Sequence, residues 1–108
     1  FTTHNSLVVD IRQPYFGTAV SLQTNDFAAV AGAGSVASVG STQQNGYYVA
    51  TINTTGLTHI SKTGTTQLRL RFLLDDNDDL GADYLAFYSA NASPSTNRPV
   101  LEIVYYVP

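Results

Sequence analysis

The sequence predicts an all-β protein, a sandwich or a barrel of short antiparallel strands. Apolar side chains alternate with polar ones in several segments, and turns rich in Gly, Asn and Thr separate those segments. Only 12% of the residues are charged, against about 25% in an average domain. Uncharged polar residues replace them: 13 Thr, 9 Ser, 7 Asn and 5 Gln. The composition excludes a helical bundle, and the five basic residues are too few for a nucleic-acid-binding surface.

Five segments carry the strand pattern, and a sixth is weaker. The clearest is 66–74, where Leu68, Leu70 and Phe72 alternate with Arg69 and Arg71. The others are residues 7–12, 47–53, 82–89 and 100–107, with a weaker strand at 35–39. The segment 7–12 has the period of a half-buried strand.

Helix signals are few. Residues 24–31 combine a capping residue, an early acid and three alanines before Gly32, which predicts one or two helical turns crossing between sheets. Residues 57–60 predict another single turn. No internal repeat or composition break divides the chain, so residues 1–108 are expected to form one β-sandwich domain.

One acidic segment carries the negative charge of the chain. Five of the eight acidic residues fall within nine positions, and outside them bases outnumber acids by five to three. Oxygen ligands in such a cluster suit Ca²⁺, but the spacing does not fit an EF-hand. The alternative is a solvated acidic turn that meets Arg69, Arg71 or Arg98. The predicted calcium ligands are Asp75, Asp76, Asn77, Asp78, Asp79 and Asp83.

The tyrosines provide a candidate carbohydrate-binding surface. Exposed Tyr rings beside Asn, Gln and Asp bind sugars by stacking and hydrogen bonding. The alternative is that Tyr is simply a good strand former, with its hydroxyl at the rim of the sheet. The candidate residues are Tyr47, Tyr48, Tyr84 and Tyr88.

Signals of catalysis are poor. The chain has no Cys, which excludes disulfides, thiolate metal sites and thiol nucleophiles. Its two histidines, His4 in an unstructured start and His59 in a short turn, lack the setting of a nucleophile triad and are expected at the surface. Glu102 is expected to pair across strands with Arg69 or Arg71. No catalytic residue is predicted, and of the functions considered a hydrolase agrees least with the sequence.

An ordered series of segments resembles the closing part of the DNRLRE-type domain, which is related to carbohydrate-binding modules. The segments are residues 64–72, 75–79, 81–89, 98–101 and 105–106, with 7–12 and 26–29 also fitting. The resemblance implies a jelly-roll β-sandwich of the kind found at the C-terminus of secreted bacterial proteins, including subtilisin-like proteases. The six-letter motif that names the family is absent.

Members of that family usually begin with further strands, and nothing equivalent precedes Phe1. The chain is therefore expected to be about the C-terminal two-thirds of a domain, with an open edge covered by a missing N-terminal segment or a neighbouring copy.

The expected function is that of a secreted accessory module at the bacterial cell surface. It would bind polysaccharide or cell-wall glycan, with calcium bracing the acidic segment. The alternative is a subunit of an extracellular filament or surface layer that assembles by strand complementation. Neither a nucleic acid partner nor a membrane span is expected.

Overall fold

The computed structural model describes residues 1, 3–74 and 77–107. Its regular structure is mostly strand with little helix, which confirms the all-β class in broad terms. The strands are β1 (Leu7–Arg12), β2 (Ala33–Ser38) and β3 (Gln67–Phe72), and the helix is α1 (Thr54–Thr58). Two 3₁₀ turns lie at Thr24–Asp26 and Ser95–Asn97. The chain divides into two compact units, Phe1–Asp78 and Asp79–Pro108, and all three strands belong to the first.

The sheet is antiparallel and has the order β2-β1-β3. β1 pairs with β3 without interruption, from Leu7 opposite Phe72 to Arg12 opposite Gln67. β1 has a hydrogen-bonded neighbour on each edge, and its first five residues are buried, so neither of its faces is open to solvent. The expectation that this strand is half-buried is therefore wrong: residues on both of its faces are buried, Asp10 among them. The buried apolar residues are Leu7, Val8, Val9, Ile11, Phe16, Val36, Ala37 and Val39.

β3 shows the predicted alternation with an unusual distribution of exposure. Leu68 and Leu70 are 43% and 49% exposed, whereas the side chain of Arg69 is only 16% exposed. Arg69 is therefore turned toward the buried part of the unit, whereas the side chain of Arg71 on the same face is 40% exposed. Both arginines share a carboxylate on β1.

Helix α1 is fixed against β2 by its first residues. The backbone N–H of Asn53 donates to the carbonyl oxygen of Val36 at 2.8 Å. The Asn53 side chain caps the helix by accepting from the backbone N–H of Gly56 at 2.9 Å. Gly56 lies so close to β2 that a Cβ there would approach the Val36 Cβ to 2.8 Å and the Ile52 Cγ2 to 2.4 Å. Only glycine allows this approach.

Three of the predicted strands are confirmed, with ends shifted by at most two residues: 7–12, 66–74 and 35–39. The prediction for 47–53 is wrong, because only an isolated bridge between Gln44 and Tyr47 forms there. The predictions for 82–89 and 100–107 are also wrong, since no residue of the second unit that the structure describes belongs to a strand. Alternation makes a segment suitable for a sheet, but a strand exists only when a neighbour supplies its hydrogen bonds.

The helical turns differ from their predicted positions. The turn predicted over 24–31 stops at Asp26. The carbonyl groups of Asp26 and Ala29 accept hydrogen bonds from the Arg69 side chain, at 2.8 and 2.7 Å, instead of from the backbone of a further helical turn. The turn predicted at 57–60 lies earlier, because Asn53 caps it. Within the described residues, every helix is too short to cross a membrane.

Candidate functional site

The carboxylate of Asp10 joins all three strands of the sheet. Asp10 is 1% exposed and lies in the middle of β1. Its Oδ2 accepts from Arg69 Nη2 at 2.7 Å and from Arg71 Nε at 2.8 Å, both on β3. Its Oδ1 accepts from the backbone N–H of Ser35 on β2 at 2.9 Å. One side chain therefore accepts hydrogen bonds from two guanidinium groups and one backbone amide.

A bulge in β2 brings the Ser35 amide to the carboxylate. The pairing runs from Val9 opposite Ala37 to Ile11 opposite Ala33, so extra residues of β2 face the single position of Asp10. Ser35 adopts a φ of 52°, which is uncommon for a residue with a side chain. The hydrogen bond to Asp10 stabilises this conformation, and the buried carboxylate gains a backbone donor.

The surroundings of Asp10 keep it ionised. Burial alone raises the pKa of the carboxyl group. The hydrogen bonds from Arg71 and Arg69, the bond from the Ser35 amide and the charge of Arg71 act in the opposite direction. Together they outweigh burial, so the pKa of Asp10 lies below its ordinary value of 3.8. The side chain is a carboxylate at neutral pH, and its role is to hold the sheet together.

Arg69 and Gln67 also bind the segment between β1 and β2. The Arg69 guanidinium lies 4.5 Å from the centre of the Phe16 ring, a cation–π contact. Gln67 Oε1 accepts from the backbone N–H of Phe16 at 2.9 Å, and its Nε2 donates to the carbonyl oxygen of Val20 at 2.7 Å. The chain between Phe16 and Ala29 is thereby attached to β3 at several points.

An open groove of about 430 Å³ lies where this segment meets β3. Its wall is largely apolar, and most of the apolar side chains are substantially exposed. The apolar residues lining it are Phe16, Val20, Leu22, Phe27, Leu68 and Leu70. Such a surface beside the edge strand of a sheet suits contact with another apolar segment.

The structure places the four candidate tyrosines in two different units. Tyr47 and Tyr48 belong to the first unit and are half-buried, and the Tyr48 ring lies 5.4 Å from the ring of Phe1. Tyr84 and Tyr88 belong to the second unit and are 84% and 63% exposed. The second pair therefore presents its rings to solvent, whereas the first is partly engaged in packing.

The predicted calcium ligands are only partly described. Asp75 and Asp76 lie outside the described residues; Asn77 and Asp78 close the first unit, and Asp79 and Asp83 belong to the second. Asp79 Oδ1 accepts from the backbone N–H of Gly81 at 2.6 Å. Residues 1, 3–74 and 77–107 contain no group of three or more His, Cys, Asp or Glu arranged to hold a metal. Two of the six predicted ligands lie outside these residues, so calcium binding here stays a prediction.

The two histidines have local structural contacts. His4 is buried, its Nδ1 donates to the carbonyl oxygen of Leu74 at 2.9 Å, and its ring lies 5.5 Å from that of Phe72. The prediction that His4 lies in an unstructured start at the surface is therefore wrong. His59 follows helix α1, and its Nδ1 lies 3.1 Å from the carbonyl oxygen of Thr55.

Asp10 is the residue that sequence reasoning missed. The arginines of β3 were expected to meet Glu102 or the acidic segment, but the carboxylate that they share is Asp10. A signal was present, since one acid interrupts an apolar strand and two arginines alternate along another. Pairing them required the register of β1 against β3, in which Asp10 stands opposite Arg69.

Comparisons of the chain with protein families, with curated proteins and with solved structures give no match.

We predict that Asp10→Asn lowers the free energy of unfolding by about 3 kcal/mol, because it leaves two guanidinium groups without their shared carboxylate. Urea denaturation followed by circular dichroism measures this change. Glu102→Gln, at an exposed carboxylate, is the control and should change the value by less than about 0.5 kcal/mol. Equal effects of the two substitutions would contradict a central role for Asp10.

The same carboxylate predicts how stability depends on pH. The pKa of Asp10 is lower in the folded chain than in the unfolded one. Its contribution is therefore present above the unfolded value and is lost as the pH falls through the folded value. We expect the free energy of unfolding of the wild type to fall below about pH 4, and Asp10→Asn to show a smaller fall. Denaturation curves between neutral pH and about pH 2 test this. If the free energy of unfolding fell equally with pH in the wild type and in Asp10→Asn, the prediction would be refuted.

Proposed function

We propose that this chain is a non-catalytic, secreted accessory module that binds carbohydrate or cell-surface material. The observation that carries the proposal is the exposure of Tyr84 and Tyr88 within one unit. An exposed aromatic ring stacks on the apolar face of a sugar, and neighbouring polar groups hydrogen-bond its hydroxyls. Asp83 and Ser89, adjacent in sequence to these tyrosines, supply such groups. The low charge of the chain is compatible with work at a glycan surface outside the cell.

The proposed architecture is a jelly-roll β-sandwich, of which the three-stranded sheet is a part. β3 is an edge of that sheet and carries half-exposed leucines. A sandwich needs further strands, and another segment or a neighbouring copy would provide them at this edge. This proposal follows from the resemblance to the DNRLRE-type domain and agrees with the observed sheet.

We propose in addition that calcium stabilises the acidic segment. Four aspartates lie among the five residues from Asp75 to Asp79, and their mutual repulsion lowers stability unless a cation is bound. Carboxylate and amide oxygens are the ligands that Ca²⁺ prefers.

Replacement of both Tyr84 and Tyr88 by Ala should weaken binding to a polysaccharide about tenfold or more, because the stacking surface is lost. Affinity electrophoresis of the full chain in gels containing bacterial or plant cell-wall polysaccharides measures this. The control is the double substitution Tyr105→Ala and Tyr106→Ala, which removes two other exposed rings from the same unit. Retarded migration that is equal for both double variants would exclude the Tyr84–Tyr88 surface, and the absence of retardation in the wild type would exclude the function.

Calcium should raise the melting temperature of the wild type by about 5 °C, since it binds only the folded chain. The double substitution Asp76→Ala and Asp78→Ala should reduce this rise, and Glu102→Ala should leave it intact. Differential scanning fluorimetry with CaCl₂ or a chelator makes the comparison. A rise of the same size in the double variant would show that the acidic segment is not the site.

Assembly by strand complementation is a second candidate function, and the edge of β3 favours it. The edge is bordered by the apolar groove, and Leu68 and Leu70 are half-exposed beside it. Residues 82–89 and 100–107 have the alternation of strands but form none in the described structure. A second copy could therefore supply a strand to β3, and each chain would hold one acceptor edge and its own donor segments.

In that case the substitution Leu70→Lys should prevent self-association, because it places a charge on the acceptor edge. Leu57→Lys, at an exposed leucine of α1, should associate as the wild type does. Light scattering over a range of protein concentrations measures the assembly. A wild type that stays monomeric at every concentration would reject this function.

A further inference from the structure

A second carboxylate in the first unit, that of Asp26, has an incomplete set of partners. Asp26 is 6% exposed and ends the 3₁₀ turn Thr24–Asp26. Its Oδ2 accepts from the backbone N–H of Gln23 at 2.8 Å. Its Oδ1 is buried, and no described residue donates a hydrogen bond to it. One oxygen of this buried carboxylate thus lacks a hydrogen-bond donor among the described residues.

Leaving such an oxygen without a partner is costly, because a buried charged group loses its hydration. Arg69 does not donate to this oxygen, since Arg69 Nη1 donates to the backbone carbonyl oxygen of Asp26 at 2.8 Å while Arg69 Nη2 binds Asp10. A cation bound at Oδ1 of Asp26 would offset this cost.

A second side-chain oxygen lies close to the first. Both face Gly17, which has a φ of +62°. A Cβ placed on Gly17 would lie 2.2 Å from Asp26 Oδ1 and 2.9 Å from Asn25 Oδ1. The two oxygens are therefore at most about 5 Å apart. One Ca²⁺, with bonds of about 2.3–2.6 Å, spans that distance.

The turn that carries these oxygens is held in place by other contacts. Gln23 Oε1 accepts from the backbone N–H of Thr18 at 3.2 Å and from its hydroxyl at 2.9 Å. Gln67 fixes the chain on both sides of Gly17, through the N–H of Phe16 and the carbonyl of Val20. The two sides of the turn are thus positioned before any ligand arrives, which lowers the ordering cost of binding.

We propose that Asp26 Oδ1 and Asn25 Oδ1 bind a calcium ion beside Gly17, with backbone carbonyl oxygens and water completing the coordination. The ligands are hard oxygens, the class that Ca²⁺ prefers, and its flexible coordination suits an irregular turn. A single carboxylate gives a weak site, with a dissociation constant of about 10⁻⁴ to 10⁻³ M, the range of extracellular modules. This site is separate in sequence from the acidic segment and does not depend on the carbohydrate-binding proposal.

Titration of the full chain with CaCl₂, followed residue by residue in amide NMR spectra, tests the site. Saturable shifts are expected at Gly17, Asn25 and Asp26 below about 10 mM Ca²⁺. Asp26→Asn keeps an oxygen for the Gln23 amide but removes the charge, and should abolish these shifts. Their persistence in Asp26→Asn, or their absence from the wild type, would overturn the proposal.

Two further variants keep the test decisive. Asn25 is exposed, so the variant Asn25→Ala should fold even if Asp26→Asn does not. The affinity of Asn25→Ala for calcium should be about tenfold lower than that of the wild type. An unchanged affinity in Asn25→Ala would exclude that side chain as a ligand and overturn the proposed pair. The double variant Asp76→Ala and Asp78→Ala should retain the shifts at Gly17 and Asn25. Their loss in that variant would assign the calcium response to the acidic segment.

Discussion

The carboxylate of Asp10 is the interaction on which the observed sheet depends. It lies on the central strand and accepts hydrogen bonds from two arginines of β3 and from the backbone of β2. Two cations are brought to one buried anion, and neither Arg69 nor Arg71 has another carboxylate at salt-bridge distance among the described residues. The same contact explains why a charged residue of β3, Arg69, is largely buried while Leu68 and Leu70 are half-exposed.

The arginine that binds Asp10 also organises the segment between β1 and β2. Arg69 donates to the carbonyl groups of Asp26 and Ala29 and lies over the ring of Phe16. These contacts fix the turn around Gly17 and form one wall of the apolar groove beside β3. The two proposed ligand surfaces of the first unit, a cation site and an acceptor edge, therefore share one structural support.

The parts of the fold that the sequence predicts are those in which local pattern and tertiary environment agree. β1 and β3 are such parts, since their alternation is matched by pairing in register. Residues 82–89 and 100–107 have an equally regular alternation, and the described structure gives them no strand. The candidate tyrosines and the acidic segment could be named from composition. Asp10 and Asp26 could not, because their importance comes from burial and from partners distant in sequence.

The sequence by itself determined the β-class of the chain, its low and unevenly distributed charge and which residues are candidates for sugar or calcium binding. These properties follow from side-chain chemistry and from a period of two, which are local. Only the tertiary structure decided which charges pair, which face of β3 is covered and where Gly17 approaches Asp26. Those features depend on strand register and on contacts such as those of Asp10, whose arginine partners are 59 and 61 positions away, and no local pattern encodes such distances.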